Sequence, residues 1–259
     1  MMIKLAILRM LGLKNVLRLV SVQEKYFLTG KQKRTLSAKK GFYAQFIKPG
    51  DLCFDVGANL GNRITPLLAL GARVVAVEPQ ENCCHFLRNK FGDKIRIVRS
   101  GLGETECVKN FYVSDACTLS SFSPEWIESV QKSSRFKDYS WDKTVQVEIT
   151  TLDRLIERYG LPSFIKIDVE GYELEVLKGL TQPVGMISFE YTVPEQTSKI
   201  SDCLSEIEKN NKNIECNYSV GENMFFALPI WVPPKELKEL VQTQPFSDTG
   251  FGDIYVRSI

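Results

Sequence analysis

From Asp51 onward, short runs of β-branched and aromatic residues alternate with stretches whose apolar positions recur at the helical period. LCFDV (52–56) is followed by a glycine-rich turn, a helical stretch through about Leu70 and then VVAVE (74–78), the pattern of a βαβ unit. A helix near Glu81–Phe91 leads into IRIVR (95–99). The rhythm then breaks: FYV (111–113) and VQVEI (145–149) read as hairpin-like strands around a polar interval. It resumes with a helix over Leu152–Tyr159, the buried strand FIKIDV (164–169), a helix over Tyr172–Leu180, the strand MISFEY (186–191), a helix over Ser198–Asn210 and the strand-like NMFFAL (223–228). Alternation of this kind predicts a doubly wound α/β sheet. Residues 114–143, rich in Ser, Lys and aromatics, are the least regular part and are expected beside the active site as a substrate lid.

The chain of 259 residues is long enough for one large domain with an appendage. Charge divides it: residues 1–50 carry 11 Lys/Arg against the single acid Glu24, leaving 22 Lys/Arg against 30 Asp/Glu in residues 51–259. The expected organisation is a basic N-terminal helical arm (1–49) and a catalytic domain (50–259). Within the arm, residues 3–20 suit a helix with Lys4, Lys14 and Arg18 on one side and Arg9 opposite. Such a helix either packs on the domain, lies on an anionic membrane surface as a peripheral contact, or grips a phosphate-bearing substrate. Charges interrupt every apolar run at the start and no small-residue cleavage site follows, so a cytoplasmic protein is expected. Seven scattered cysteines, with no C-x-x-C pair, read as reduced filler.

The turn Asp55-Val-Gly57-Ala-Asn59-Leu-Gly61 closes a strand and opens a helix, where glycines permit a tight turn and close approach of a ligand. Its D-x-G-x-x-x-G spacing differs from the dinucleotide G-x-G-x-x-G. A carboxylate at Asp55 would repel a pyrophosphate and attract the ammonium and sulfonium of S-adenosylmethionine. Glu78, 17 residues past Gly61, ends the next strand where an acid accepts hydrogen bonds from both ribose hydroxyls.

A second constellation runs Lys166-Ile-Asp168-Val-Glu170-Gly171-Tyr172-Glu173. Period-two alternation puts Lys166, Asp168 and Glu170 on one side, with the acids at the strand's carboxyl end, where open α/β sheets bind ligands. Glu190 ends the following strand and should approach the same edge. Three acids there require a cation, Lys166 or a substrate proton to offset them. Methyl transfer from a sulfonium is an in-line displacement that needs a positioned acceptor and a base, and a carboxylate suffices. The only histidine, His85, lies on the helix after the Glu78 strand, away from the expected acceptor site, and reads as a surface or packing residue. No Asp/Asn-Pro-Pro-aromatic tetrapeptide and no Pro-Cys nucleophile occur, which argues against flipped-base methylation and a specific nucleic-acid partner.

At these motifs the sequence resembles the FkbM-type S-adenosylmethionine-dependent methyltransferases. The resemblance rests on FDVGANLGN (54–62), VVAVEPQ (74–80), IVRSGLGE (97–104), TTLDRLIERYGLPSFIKIDVEGYELEVLKGL (150–180) and GDIYVRS (252–258). It implies a Rossmann-like class I methyltransferase fold: a mostly parallel seven-stranded sheet with an antiparallel final strand and helices on both faces. It also implies O-methylation of a hydroxyl on a sugar, glycan, glycolipid or secondary metabolite, with S-adenosylhomocysteine as product. On matching positions, Asp55, Gly57, Asn59, Gly61, Asn62, Glu78 and Pro79 would line the cofactor, with Leu102 and Gly103 bordering the adenine. Asp168, Glu170 and Glu190, with Lys166 beside them, would form the reaction centre.

Alternatives stay open at the level of sequence: a non-catalytic S-adenosylmethionine-binding scaffold, a nicotinamide-dependent oxidoreductase on the same fold, and a divalent metal held by Asp168, Glu170 and Glu190. No metal site is predicted. The acceptor, the position methylated and the oligomeric state are not fixed by the sequence. The basic lead-in KQKRTLSAKK (31–40) is either solvated or holds an anionic acceptor.

Overall fold

A computed structural model describes residues 30–133 and 135–259. The helix expected over 3–20 lies outside the described residues. Seven strands form the main sheet: β1 (Leu52–Val56), β2 (Arg73–Val77), β3 (Ile95–Val98), β7 (Phe164–Ile167), β8 (Met186–Thr192), β9 (Ile214–Val220) and β10 (Phe251–Ser258), in the order β3-β2-β1-β7-β8-β10-β9. The first five in that order are parallel, and β10 runs antiparallel to both of its neighbours. The sheet is therefore the mostly parallel, seven-stranded one implied by the family resemblance.

Burial explains the central strands. All residues of β1 and β7 are buried, as in strands covered on both faces. Alternate residues feed two cores. Phe54, Val56, Val75, Ile165 and Ile167 face α5 (Leu152–Tyr159), α6 (Glu173–Lys178) and α7 (Thr197–Asn210), whereas Cys53, Val74, Ala76 and Phe164 face α1 (Gly30–Tyr43), α2 (Ile64–Ala69) and α3 (Glu81–Phe91). Strand order reverses between β1 and β7, and the carboxyl ends of the strands beside that switch point form the place where such sheets bind ligands.

A smaller sheet of β4 (Gly101–Leu102), β6 (Lys143–Thr150) and β5 (Cys107–Val113) sits beside the main one, β5 and β6 pairing antiparallel. The interval between these strands holds α4 (Pro124–Lys132), started by Ser123, whose hydroxyl accepts from the Trp126 N–H, and by Pro124 in the first turn. Two helices near the end, α8 (Pro234–Leu240) and α9 (Gln244–Ser247), begin in the same way, with a proline in the first turn.

One expected strand is absent. NMFFAL (223–228) is turn and loop, and the strand beside β10 is instead β9, IECNYSV. The apolar character of 223–228 serves a cluster: Phe226 lies 4.8 Å from both Phe42 and Trp231 and 5.3 Å from Tyr255, ring centre to ring centre. Asn217 holds that loop through Nδ2–H to the Leu228 carbonyl and through Oδ1 from the Leu228 N–H, each at 3.0 Å.

The basic lead-in 31–40 lies on α1, which packs into the domain through Phe42, Tyr43 and, just beyond it, Ile47. Lys39 is buried against Glu222 at 2.9 Å and is not part of a solvated face.

Candidate active site

The turn after β1 is shaped by packing as much as by ligand access. Gly57 has φ +81°, and a Cβ there would lie 1.8 Å from the Asp168 carbonyl oxygen, so only glycine lets the β1 and β7 ends meet. Asn59 takes the left-handed region at φ +44°. Glu78 fixes it: Oε2 accepts from the Asn59 N–H and Oε1 from the Gln80 N–H, both at 2.8 Å. Gly61 has a different task, since a Cβ there would meet Phe91 and Leu87; it admits α3 to the turn.

One pocket at this sheet edge is lined by Asp55, Gly57, Asn59, Asn62, Glu78, Pro79 and Leu102 on one side and by Asp168, Glu170 and Glu190 on the other. Gly61, Gly103 and Lys166 are outside its wall; Gly103 packs on Ile149 and Tyr172. Sequence reading passed over Arg63, Gln80, Ser100, Cys117, Thr118, Ser120, Phe122, Tyr172 and Glu222, which also line it. Ser100, Gln80 and Tyr172 lie inside the segments 97–104, 74–80 and 150–180 that carry the family resemblance, which was the available signal for them; the others carried none in the local pattern.

The electrostatics of the two sides differ. Burial pushes the carboxyls of Asp55 and Glu78 up to about 7 each; Lys166 offsets part of this at Asp55, and the Gln80 and Asn59 N–H groups do so at Glu78. Asp55 Oδ2 is buried with no partner among the described residues. Across the pocket, one oxygen from each of Asp168, Glu170 and Glu190 lies within 4.8 Å of the others. Burial and then repulsion from Asp168 hold the Glu170 and Glu190 carboxyls well above the usual carboxylate range. Carboxyls this close share protons rather than ionise together, and a hard cation also takes oxygens at such spacing.

Lys166 sits beneath this group, fully buried, with Nζ 2.7 Å from Asp253 Oδ1 and 3.2 Å from Asp168 Oδ2. Burial alone would lower its pKa, but Asp168 and Asp253 outweigh it and hold the ammonium charged. The chain of charges continues through Arg63, 3.5 Å from Asp253 and bidentate to Glu222 at 3.0 Å, and ends at Lys39.

Within the segment 114–143, Cys117, Thr118, Ser120 and Phe122 line the pocket, and the segment is pinned there. The Cys117 carbonyl accepts from Asn59 Nδ2 and Gln80 Nε2, and Ser121 Oγ donates to the Glu170 carbonyl at 2.7 Å. Trp126 covers Gly171, where a Cβ would lie 2.5 Å from the indole. Cys117, read from the sequence as filler, points its thiol at Asn59 Oδ1, 3.8 Å away. His85 lies on α3 outside the pocket wall, part-exposed beside Glu81.

A glycine-turn pocket at the switch point, with buried acids at the ends of two neighbouring strands, is the ligand site of a Rossmann-like class I sheet, and the family match makes the chain an S-adenosylmethionine-dependent methyltransferase. Residues 55–219 match the Methyltransferase FkbM domain, which spans more than half of the chain, and the protein belongs to that family. Among curated relatives, the hexuronic acid methyltransferase AglP of Haloferax volcanii is 26% identical over 141 residues, 54% of each chain. The ribosomal RNA small subunit methyltransferase A of Anaeromyxobacter dehalogenans is 42% identical over 53 residues, 20% of this chain and 19% of that one. These matches thus take in about half and about a fifth of the relatives' own lengths. A solved TehB-like methyltransferase from Corynebacterium glutamicum overlays at a TM-score of 0.44 and 10% identity, covering 88% of this chain and 95% of that one.

Asp55 with its unpartnered oxygen fits the cationic end of S-adenosylmethionine, and Glu78 fits the ribose. When bound, the cofactor supplies a methyl group on a sulfonium, open to attack by a nucleophile.

Proposed function

We propose that this protein is an O-methyltransferase whose acceptor is a hydroxyl of a sugar or glycan. The observation that carries the reading is the meeting of Asp168, Glu170 and Glu190 across the pocket from Asp55 and Glu78. A hydroxyl needs orientation and a place for its proton, and carboxyls that share protons offer both a hydrogen-bond acceptor and a donor to a polyhydroxylated ring. Lys166 Nζ lies 3.2 Å beneath Asp168, so Asp168 would take the hydroxyl's proton as the methyl passes to the acceptor oxygen and leaves the sulfur with its electron pair, while Glu170 and Glu190, held above the usual carboxylate range, would donate hydrogen bonds to the sugar ring. The part-match to a relative named for hexuronic acid methylation supports a carbohydrate acceptor.

Arg63 is the only basic side chain in the pocket wall among the described residues, and Glu222 engages it. An acidic wall with its cation already paired favours a neutral sugar hydroxyl at the reacting position over a free carboxylate.

The test is transfer of labelled methyl from S-adenosylmethionine to a panel of glycosides, free uronates and phenols. The reading expects transfer to glycosides, with the label stable to mild base as an ether is. Label lost to mild base, as from a methyl ester, or transfer confined to phenols would reject it.

A further inference from the structure

The charge network that runs beneath Asp168 ends unevenly at the pocket wall. Lys39 on α1 and Arg63 at the start of α2 each have a side chain only 10% exposed, whereas Glu222, which answers both, has a side chain 61% exposed. Glu222 follows β9 in a turn whose backbone is held by the Gly221 N–H donating to the Phe251 carbonyl at 2.7 Å and the Asn223 N–H to the Val220 carbonyl at 3.0 Å. The cations are therefore fixed in the wall, and the acid that pairs with them is a hydrated side chain on a turn.

Their contacts describe a seat for a carboxylate. Arg63 Nη1 and Nη2 donate to separate oxygens of Glu222 at 3.0 Å each, and Lys39 Nζ lies 2.9 Å from Glu222 Oε2. With Glu222 turned into solvent, the two cations would face only Asp253, 3.5 Å from Arg63 and already engaged by Lys166 at 2.7 Å. Burial and then repulsion from Arg63 hold the Lys39 ammonium below its ordinary value even with Glu222 in place. Two buried cations thus require an anion at this position, and a ligand carboxylate can stand in for Glu222, which regains its water as it leaves. Arg63 and Glu222 line the same pocket as Asp168, Glu170 and Glu190, so an acceptor in that pocket meets the seat and the reaction centre together.

We propose that Arg63 and Lys39 form a carboxylate subsite for the acceptor, so that the substrate is a sugar acid methylated on a hydroxyl while its own carboxylate takes the place of Glu222. The inference rests on the sugar-hydroxyl reading above and narrows its acceptor class. Holding the carboxylate against Arg63 also keeps it from the reacting position, which is left to the hydroxyl.

The experiment is calorimetric titration of the methyl glycosides of glucuronate and galacturonate, and of glucose and galactose, into the full chain saturated with S-adenosylhomocysteine, a measurement that needs no turnover. At least one uronate should bind about fivefold more tightly than its neutral counterpart, the modest gain expected when one partly hydrated ion pair replaces another. Glu222→Gln removes the competing charge from an exposed position and should widen that ratio to about tenfold or more, whereas Lys39→Met should narrow it. No uronate preference in the parent and none gained in Glu222→Gln, or no binding of any of the four glycosides, overturns the proposal. Labelled methyl transferred to neutral glycosides with no preference for uronates would sink the subsite and leave the sugar-hydroxyl reading standing. Uronate binding with the expected dependence on Glu222, but with no methyl ether formed on any sugar, would keep the subsite and reject that reading.

Discussion

The two acidic walls of the cleft are built on different principles. On the cofactor side, Glu78 has both carboxylate oxygens held by backbone N–H groups of its own neighbourhood, and Asp55 is fixed within a fully buried strand. On the other side, the side-chain carboxyls of Glu170 and Glu190 accept no hydrogen bond from any described residue, and among the described residues the Asp168 carboxylate is steadied by Lys166 alone. The first wall is preorganised by local chain geometry. The second is held in repulsion by a buried charge network and is completed by what binds it. Cofactor recognition should therefore survive changes that abolish transfer, while changes to the network should be felt in stability.

The largest effect expected is on turnover. Asp168→Asn should lower kcat by about 10²–10⁴-fold while S-adenosylmethionine affinity stays close to that of the parent, measured by single-turnover methyl transfer and by calorimetry. A parallel loss of cofactor affinity would dissolve the distinction between the walls.

Next is the network. Lys166→Met leaves Asp253 and Asp168 without their buried cation, and removing one partner of such a pair costs about 3–5 kcal/mol, read by urea unfolding. Adding Asp253→Asn should recover part of that loss, because the stranded charge is then gone. An additive double variant would mean that Lys166 stabilises by packing alone.

On the wall proposed to hold the cofactor, Glu78→Ala removes the acceptor for two backbone donors as well as the proposed contact to the ribose. Hydrogen bonds to charged groups are worth about 1.5–3 kcal/mol, so affinity should fall about 10- to 100-fold. Glu78→Gln, which keeps one acceptor oxygen, should fall between the two.

The smallest effect is a linkage to pH. Burial raises the Asp55 carboxyl from 3.8 to about 7, so the stability tied to its protonated form is present below the unfolded value and is lost as pH rises through about 7. A bound ammonium favours the ionised carboxylate. Binding should then release a proton near neutrality, and affinity should rise as pH climbs through about 7, an increment that Asp55→Asn abolishes. Calorimetry in two buffers of different ionisation enthalpy measures the released proton directly.

What could be read from the sequence follows the same division. The β1 turn, Glu78 and the strand ending in Asp168 are local features, where neighbouring residue types dictate both conformation and chemistry, and they converge on one pocket. The charge network was hidden because its partners are far apart in the chain: 87 residues from Lys166 to Asp253, 159 from Arg63 to Glu222 and 190 from Arg63 to Asp253. The misplaced strand at 223–228 shows the limit of periodicity: its aromatic residues serve a tertiary cluster, and a less apolar run, IECNYSV, pairs with β10. Gly61 was assigned from the spacing of the turn and Gly103 from the family resemblance, and a Cβ at either position would meet a neighbouring side chain. Residues 114–143 carry no regular period, and their place at the pocket depends on Trp126 over Gly171 and on the Cys117 carbonyl.

Isothermal titration of S-adenosylmethionine and S-adenosylhomocysteine into the full chain, alongside the Glu78→Ala variant, tests the central claim most directly. Saturable one-site binding of both ligands, strongly weakened in the variant, is the result expected of a methyltransferase cleft walled by Asp55 and Glu78. Folded protein that binds neither ligand, or binds both equally well without Glu78, would contradict it.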